Sequence, residues 1–198
     1  MTRKRWSSIW YQLREVMSFQ PESVLEIGPG PGLFKNAALA FGVPVTTVDI
    51  DPGLNPDVVS AADDLPFENE AVDVSCAFQV LEHMPLEASL DALAEMCRVS
   101  RKATVISLPD AKTRWPCSIT LPKFGRIEFQ LSNPLFSPRP HIFDGEHYWE
   151  INKKGYELDS VLRRLVEATP GFTVVTALAS ENPYHRFFIF RRTNSLTG

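Results

Sequence analysis

The stretch Val24-Leu25-Glu26-Ile27-Gly28-Pro29-Gly30-Pro31-Gly32 constrains the fold more than any other part of the chain. Four residues that read as a buried strand run into three alternate glycines. Apolar residues then recur at helical spacing, at Leu33, Phe34, Ala37, Ala38 and Phe41, before Gly42. A strand that turns this tightly into a helix is the opening of a β-α-β unit, and such units build parallel sheets covered by helices. The glycines let the backbone turn sharply and let a ligand come close to the main chain. The helix start offers unpaired N–H groups and the positive end of its dipole. A dinucleotide site needs G-x-G-x-x-G, whereas here the third glycine comes one residue early and Leu33 follows it. Glu26 would repel a diphosphate and suits a cationic amino group, directly or through water.

The alternation continues along the chain. Val45-Thr46-Thr47-Val48 reads as a β-branched strand and Val72 to Phe78 as an apolar one. Leu86 to Val99 has helical spacing, and Ala103 to Leu108 is a further strand. Tyr156 to Val166 repeats apolar residues on one helical face. Phe172–Val175 and Phe187–Phe190 follow as two strands with no helix between them, which predicts an antiparallel pair at one side of the sheet. The expected fold class is α/β: a doubly wound, mostly parallel sheet with an antiparallel last strand and helices on both faces, six of its strands being legible.

The expected organisation is one domain over residues 1–198. It comprises an N-terminal helix (1–20), a cofactor-binding half (21–108), a lid or substrate insertion (109–147) and a closing helix and strand pair (148–198). The stripe Trp6, Ile9, Trp10, Leu13, Val16, Met17 predicts that the first helix packs on the core or caps the cofactor cleft. The lid holds six of the sixteen prolines and five bulky aromatics, and reads as irregular.

Beyond the second strand, Val48-Asp49-Ile50-Asp51 places a carboxylate where ribose hydroxyls are held in open α/β sheets. Asp49 is the first choice and Asp51 the runner-up. Together these elements resemble the class I S-adenosylmethionine-dependent methyltransferases. Val24–Leu33 looks like their motif E/D-x-G-x-G-x-G, and Val48–Asp51 like their second motif. The series Asp63-Asp64-Leu65-Pro66-Phe67, Ala71-Val72-Asp73-Val74 and Gln79-Val80-Leu81-Glu82-His83 resembles the type 11 subgroup, similar to ubiquinone- and menaquinone-biosynthesis methyltransferases.

The resemblance implies a seven-stranded sheet, one strand more than the six legible ones, with S-adenosylmethionine as cofactor and S-adenosylhomocysteine as product. It implies Glu26, Gly28, Gly30 and Gly32 at the methionine portion, Asp49 at the ribose and Ile50 against adenine. It also implies Asp63 or Asp64, with Leu65, at the adenine edge, and Gln79 at the methionine end. The subgroup often places an aspartate four residues before this leucine, where the chain has Ala61. The implied reaction is in-line displacement at the methyl carbon, with a small molecule as acceptor. The alternative is a non-catalytic module or partner subunit that keeps the fold.

Where the acceptor must lose a proton, His83 is the first choice and His147 the second, with His141 a further alternative. Glu82 and His83 also read as a polar helix start. His141, Glu146 and His147 lack a convincing metal-ligand spacing, so no metal is expected. Asn133-Pro134-Leu135-Phe136 and Asn182-Pro183-Tyr184-His185 read as turns. No basic-aromatic RNA-binding module is visible, so nucleic acid is not an expected partner.

Charge adds a layout. The formal net charge of −4 divides into +3 over residues 1–20, −12 over 21–100 and +5 over 101–198. A basic cover over an acidic half points to an anionic acceptor. Three cysteines with no CxxC pattern, no signal-peptide pattern and no apolar run of membrane-spanning length lead to the expectation of a cytoplasmic protein.

Overall fold

The computed structural model describes residues 2–123 and 125–193, without the side chains of Arg126 and Glu128. Helix α1 (Arg3–Met17) precedes β1 (Val24–Ile27), α2 (Leu33–Ala40), β2 (Val45–Asp49), β3 (Val58–Val59) and β4 (Val72–Phe78). Helix α3 (Leu86–Val99), β5 (Ser100–Pro109), β6 (Arg114–Leu121) and β7 (Gly125–Ser132) follow. Then come α4 (Leu158–Ala168), β8 (Phe172–Leu178) and β9 (His185–Arg192). Seven strands form one sheet in the order β3-β2-β1-β4-β5-β9-β8. All are parallel except β9, which runs antiparallel between β5 and β8. The doubly wound architecture with an antiparallel last strand is therefore the observed one. Strand β3 is an addition, since two valines are too short to show a period.

The pleat sends alternate residues to opposite faces. Leu25, Ile27, Ile106, Phe188 and Phe190 pack with Leu93 and Met96 of α3 and Val161 and Leu165 of α4. Val24, Val74, Val105, Phe187 and Ile189 pack on the other face with Tyr11 and Val16 of α1 and Phe34 and Ala38 of α2. Glu26 stands on this second face, between Val24 and the glycine turn, and is only 3% exposed. The turn is pinned to β2 by the Gly28 N–H, which donates to the Val48 carbonyl at 2.9 Å.

Two expectations need correction. The 109–147 segment is not irregular throughout, because β6 and β7 form a separate antiparallel hairpin. Its alternation is clean. Trp115, Cys117 and Ile119 lie opposite Leu131, Phe129 and Ile127, so one face is apolar, and each of the five large residues among these is at least 40% exposed. Pro116 and Pro122 hid the pattern, but proline is tolerated in an edge strand or hairpin turn. The second correction concerns α1. Ile9 and Val16 are buried, whereas Trp6 and Trp10 stand 61% and 54% exposed. The helix is rotated by polar anchors that its apolar stripe does not reveal. The Tyr11 hydroxyl donates to Ser180 Oγ at 2.7 Å, and Asn182 Nδ2 donates to Ser8 Oγ at 3.0 Å.

Candidate functional site

At the carboxyl ends of β1 and β4, the neighbouring strands at which the strand order reverses, a cleft of about 510 Å³ opens. Its floor is Glu26, Gly28, Gly30 and the start of α2 at Leu33 and Phe34. Phe78 and Gln79 form one wall, and Lys4, Arg5, Ser8 and Ile9 of α1 form the roof. Asn182 and His185 close it from the root of β9. Gly28, Gly30 and Gly32 all have left-handed φ, at 67°, 49° and 70°. At Gly28 a Cβ would sit 2.5 Å from Val80 Cγ2, so a side chain there would collide with the segment that leaves β4. Gln79 also has left-handed φ, 59°, a strained conformation for a residue with a side chain. It is held by its N–H to the Ser107 carbonyl at 3.0 Å and by Nε2 to Ser107 Oγ at 3.3 Å.

The electrostatic centre of the cleft is Glu26. Its Oε2 is buried without a hydrogen-bond partner. Burial raises its pKa to about 8, against a smaller lowering by Lys35. A cationic group in the cleft would restore the carboxylate. The open N-terminus of α2, whose Gly32 cap offers no side chain, is complementary to a carboxylate. An amino-acid end group carries both charges, so the residues present fit the methionine portion of S-adenosylmethionine.

The other expected cofactor residues lie outside the cleft lining. Asp49 ends β2, half-buried, and its Oδ1 accepts the Asp51 N–H at 2.9 Å. Asp51 is committed to capping the short turn Pro52–Leu54 through Gly53 N–H. Ile50 is 73% exposed beside Asp49. Asp63 and Asp64 are exposed on the loop after β3. The Leu65 side chain packs in the core, and its N–H donates to Glu95 Oε2 at 3.2 Å, so it presents neither group outward.

His83 and His147 do come together, with ring centroids 5.0 Å apart, but neither lines the cleft. His141 is joined to them through its Nε2, 2.8 Å from the His147 carbonyl. The cleft instead contains His185, which reads in sequence as part of a turn. Its Nδ1 is enclosed without a partner, and burial lowers its pKa to about 4, so the ring is neutral near pH 7. A topological signal could have found it. An antiparallel last strand must begin at the edge of the sheet where the parallel strands end, which is the ligand edge.

The basic lid is partly spoken for. Arg114 and Arg186 are buried against Asp110, at 3.0 and 2.8 Å. Arg114 therefore roots the hairpin and does not face solvent. The Arg126 side chain lies outside the described residues.

The methyltransferase-domain family of type 11 matches residues 25–108, which span β1 to β5 and the whole glycine turn. An uncharacterised methyltransferase of Mycobacterium marinum (strain ATCC BAA-535 / M) is 32% identical over 145 residues, which cover 67% of this chain and 53% of that protein. The chain is similar to the class I methyltransferases of type 11 over about two-thirds of its length. It spans about half the length of the curated methyltransferases it matches. Solved structures agree with the methyltransferase fold at low identity. The PH0226 protein from Pyrococcus horikoshii OT3 superposes with a TM-score of 0.63 at 14% identity, over 96% of this chain and 92% of its own. Magnesium protoporphyrin IX methyltransferase from Synechocystis PCC 6803, with bound S-adenosylmethionine, gives 0.58 at 14%, over 96% and 79%. Among the described residues, no helix is long and apolar enough to cross a membrane.

Proposed function

We propose that the chain binds S-adenosylmethionine in the cleft and transfers its methyl group to a small anionic acceptor held beneath α1. The observation that carries this reading is Glu26, a buried carboxylate without a full set of partners at the end of a three-glycine turn. In this reading residues 21–108 hold the cofactor, α1 and the 109–147 segment cover the acceptor, and residues 148–198 complete the sheet. Glu26 takes the amino group, the glycine turn and the α2 N-terminus take the carboxylate, and Gln79 borders the same end. Asp49 holds the ribose, with Ile50, Asp63 and Asp64 along the exposed adenine side.

When bound, the cofactor supplies a methyl carbon on a cationic sulfonium that departs as a neutral thioether. The chain's own task is alignment and exclusion of water. Ser8, Asn182 and His185, which line the cleft together with Thr2 and Gln12, face the acceptor in this reading. His185, held neutral, orients the acceptor through a hydrogen bond and is too weak a base to remove its proton efficiently at pH 7. Lys4 and Arg5 at the roof favour a carboxylate or phosphate on the acceptor.

Isothermal titration with S-adenosylmethionine tests the reading. One equivalent is expected to bind the wild type, with at least tenfold weaker binding in Glu26→Gln and none measurable in Gly28→Ala. No heat at millimolar cofactor would end the proposal. Binding without methyl transfer across carboxylate- and phosphate-bearing acceptors would favour a non-catalytic module.

A further inference from the structure

One turn beyond Gln79 lies a cluster that the cleft does not use. The chain leaves β4 through the short turn Leu81–His83, in which Glu82 is fully buried. Neither carboxylate oxygen of Glu82 has a hydrogen-bond partner among the described residues. Such a group costs several kcal/mol to bury ionised and uncompensated, on the order of magnitude known for lone buried charges. The segment 146–148 is tied beside it, with the Tyr148 N–H donating to the Glu82 carbonyl at 2.8 Å. One ring nitrogen each of His83 and His147 and one carboxylate oxygen of Glu82 all lie within 4.8 Å of one another.

The hydrogen bonds around the two imidazoles select their tautomers. His83 Nδ1 is 3.0 Å from the Glu146 carbonyl oxygen, which can only accept. His147 Nδ1 is 3.0 Å from Glu150 Oε1, itself an acceptor of the Tyr184 hydroxyl at 2.7 Å. Nδ1 is therefore the donor in both rings, which leaves Nε2 as the nitrogen free to ligate. A backbone carbonyl on one ring and a carboxylate on the other are the outer partners that orient metal-bound histidines. Two imidazoles and one carboxylate suit zinc-class and neighbouring divalent ions, and three protein ligands leave positions open. Tetrahedral coordination with bonds near 2.1 Å needs ligand atoms about 3.4 Å apart, which small side-chain rotations would supply.

We propose that Glu82, His83 and His147 bind one divalent transition-metal ion through a carboxylate oxygen and two Nε2 atoms, leaving open positions for water. The site is independent of the cofactor proposal, since none of its ligands lines the cleft. It also gives the two histidines a role other than that of proton acceptor.

The test uses the full chain, dialysed against chelator and titrated with Zn²⁺ against a chromophoric competitor, and with Co²⁺ followed by its visible d–d absorption. One equivalent at micromolar affinity or tighter is expected, with Co²⁺ bands of a nitrogen–oxygen site. Glu82→Gln and His147→Ala should each weaken binding at least thirtyfold, and Glu150→Gln about tenfold through the orienting bond. His185→Ala should bind metal like the wild type. Histidine side-chain NMR of the wild type, with and without Zn²⁺, should perturb two rings only, which keeps the test valid should a variant fail to fold. No saturable one-to-one binding, undiminished binding by Glu82→Gln, or ring shifts confined to other histidines would overturn the proposal.

Discussion

Glu26 is a carboxylate that folding neutralises and a cationic ligand would ionise again. Its pKa is ordinarily 4.5 and is raised to about 8 by burial. Between those values the folded chain holds a proton that the unfolded chain has lost. The stability tied to this group is thus fully present below pH 4.5 and disappears as pH rises to about 8. The wild type should lose up to about 5 kcal/mol relative to Glu26→Gln between pH 4.5 and 8.5, measured by denaturant unfolding. Cofactor affinity should run the opposite way, rising with pH up to about 8 by at most tenfold per unit and staying flat in Glu26→Gln. A second residue-scale expectation concerns Asp110. Its side chain is fully buried between Arg114 and Arg186 and also accepts Asn152 Nδ2 at 2.7 Å. Asp110→Ala leaves two buried guanidiniums without their counter-charge and should cost about 3–5 kcal/mol by urea unfolding.

At the scale of elements, the β6–β7 hairpin has one apolar face that joins neither core cluster among the described residues. Ile119→Lys on that face should change the unfolding free energy by less than about 0.5 kcal/mol, because Ile119 is half exposed already. A loss above ~1.5 kcal/mol would mean that the face is packed. The hairpin also illustrates what was legible in the sequence. The long strands and helices were readable because each buries a continuous periodic face, as in β4, α3 and β5. The glycine turn was readable because it needs specific residues at fixed spacing. The hairpin was masked by proline, and β3 by its two-residue length. At the site, the residues carried by β1, β4 and their turns were legible. His185, Asn182 and Ser8 were not, because they reach the cleft from opposite ends of the sequence, and no local pattern records such a meeting. The juxtaposition of Glu82, His83 and His147 depends in the same way on a contact between segments more than sixty residues apart.

At the scale of the whole molecule, the roof of the cleft is one helix and one loop stitched together. Ser7 Oγ donates to Glu181 Oε2 at 2.7 Å, and Tyr11 OH both donates to Ser180 Oγ at 2.7 Å and accepts the Ser180 N–H at 3.0 Å. Tyr11→Phe removes a donor and an acceptor together, and should lower stability by about 1–3 kcal/mol while weakening cofactor binding by more than that loss alone explains. Unchanged affinity in that variant would show that the roof is dispensable for cofactor binding.

These stitches join residues separated by 169 to 174 positions. Closing a loop of that length costs on the order of 4.5 kcal/mol in chain entropy, before any contact offsets it. The β1–β4 core, whose pairings are far more local, can form without it. Ligand capture is then a late event in folding. In stopped-flow refolding, tryptophan or circular-dichroism signals of sheet formation should precede the recovery of cofactor binding. A chain that has formed its sheet but not its roof would look folded to spectroscopy and remain unable to hold its ligand.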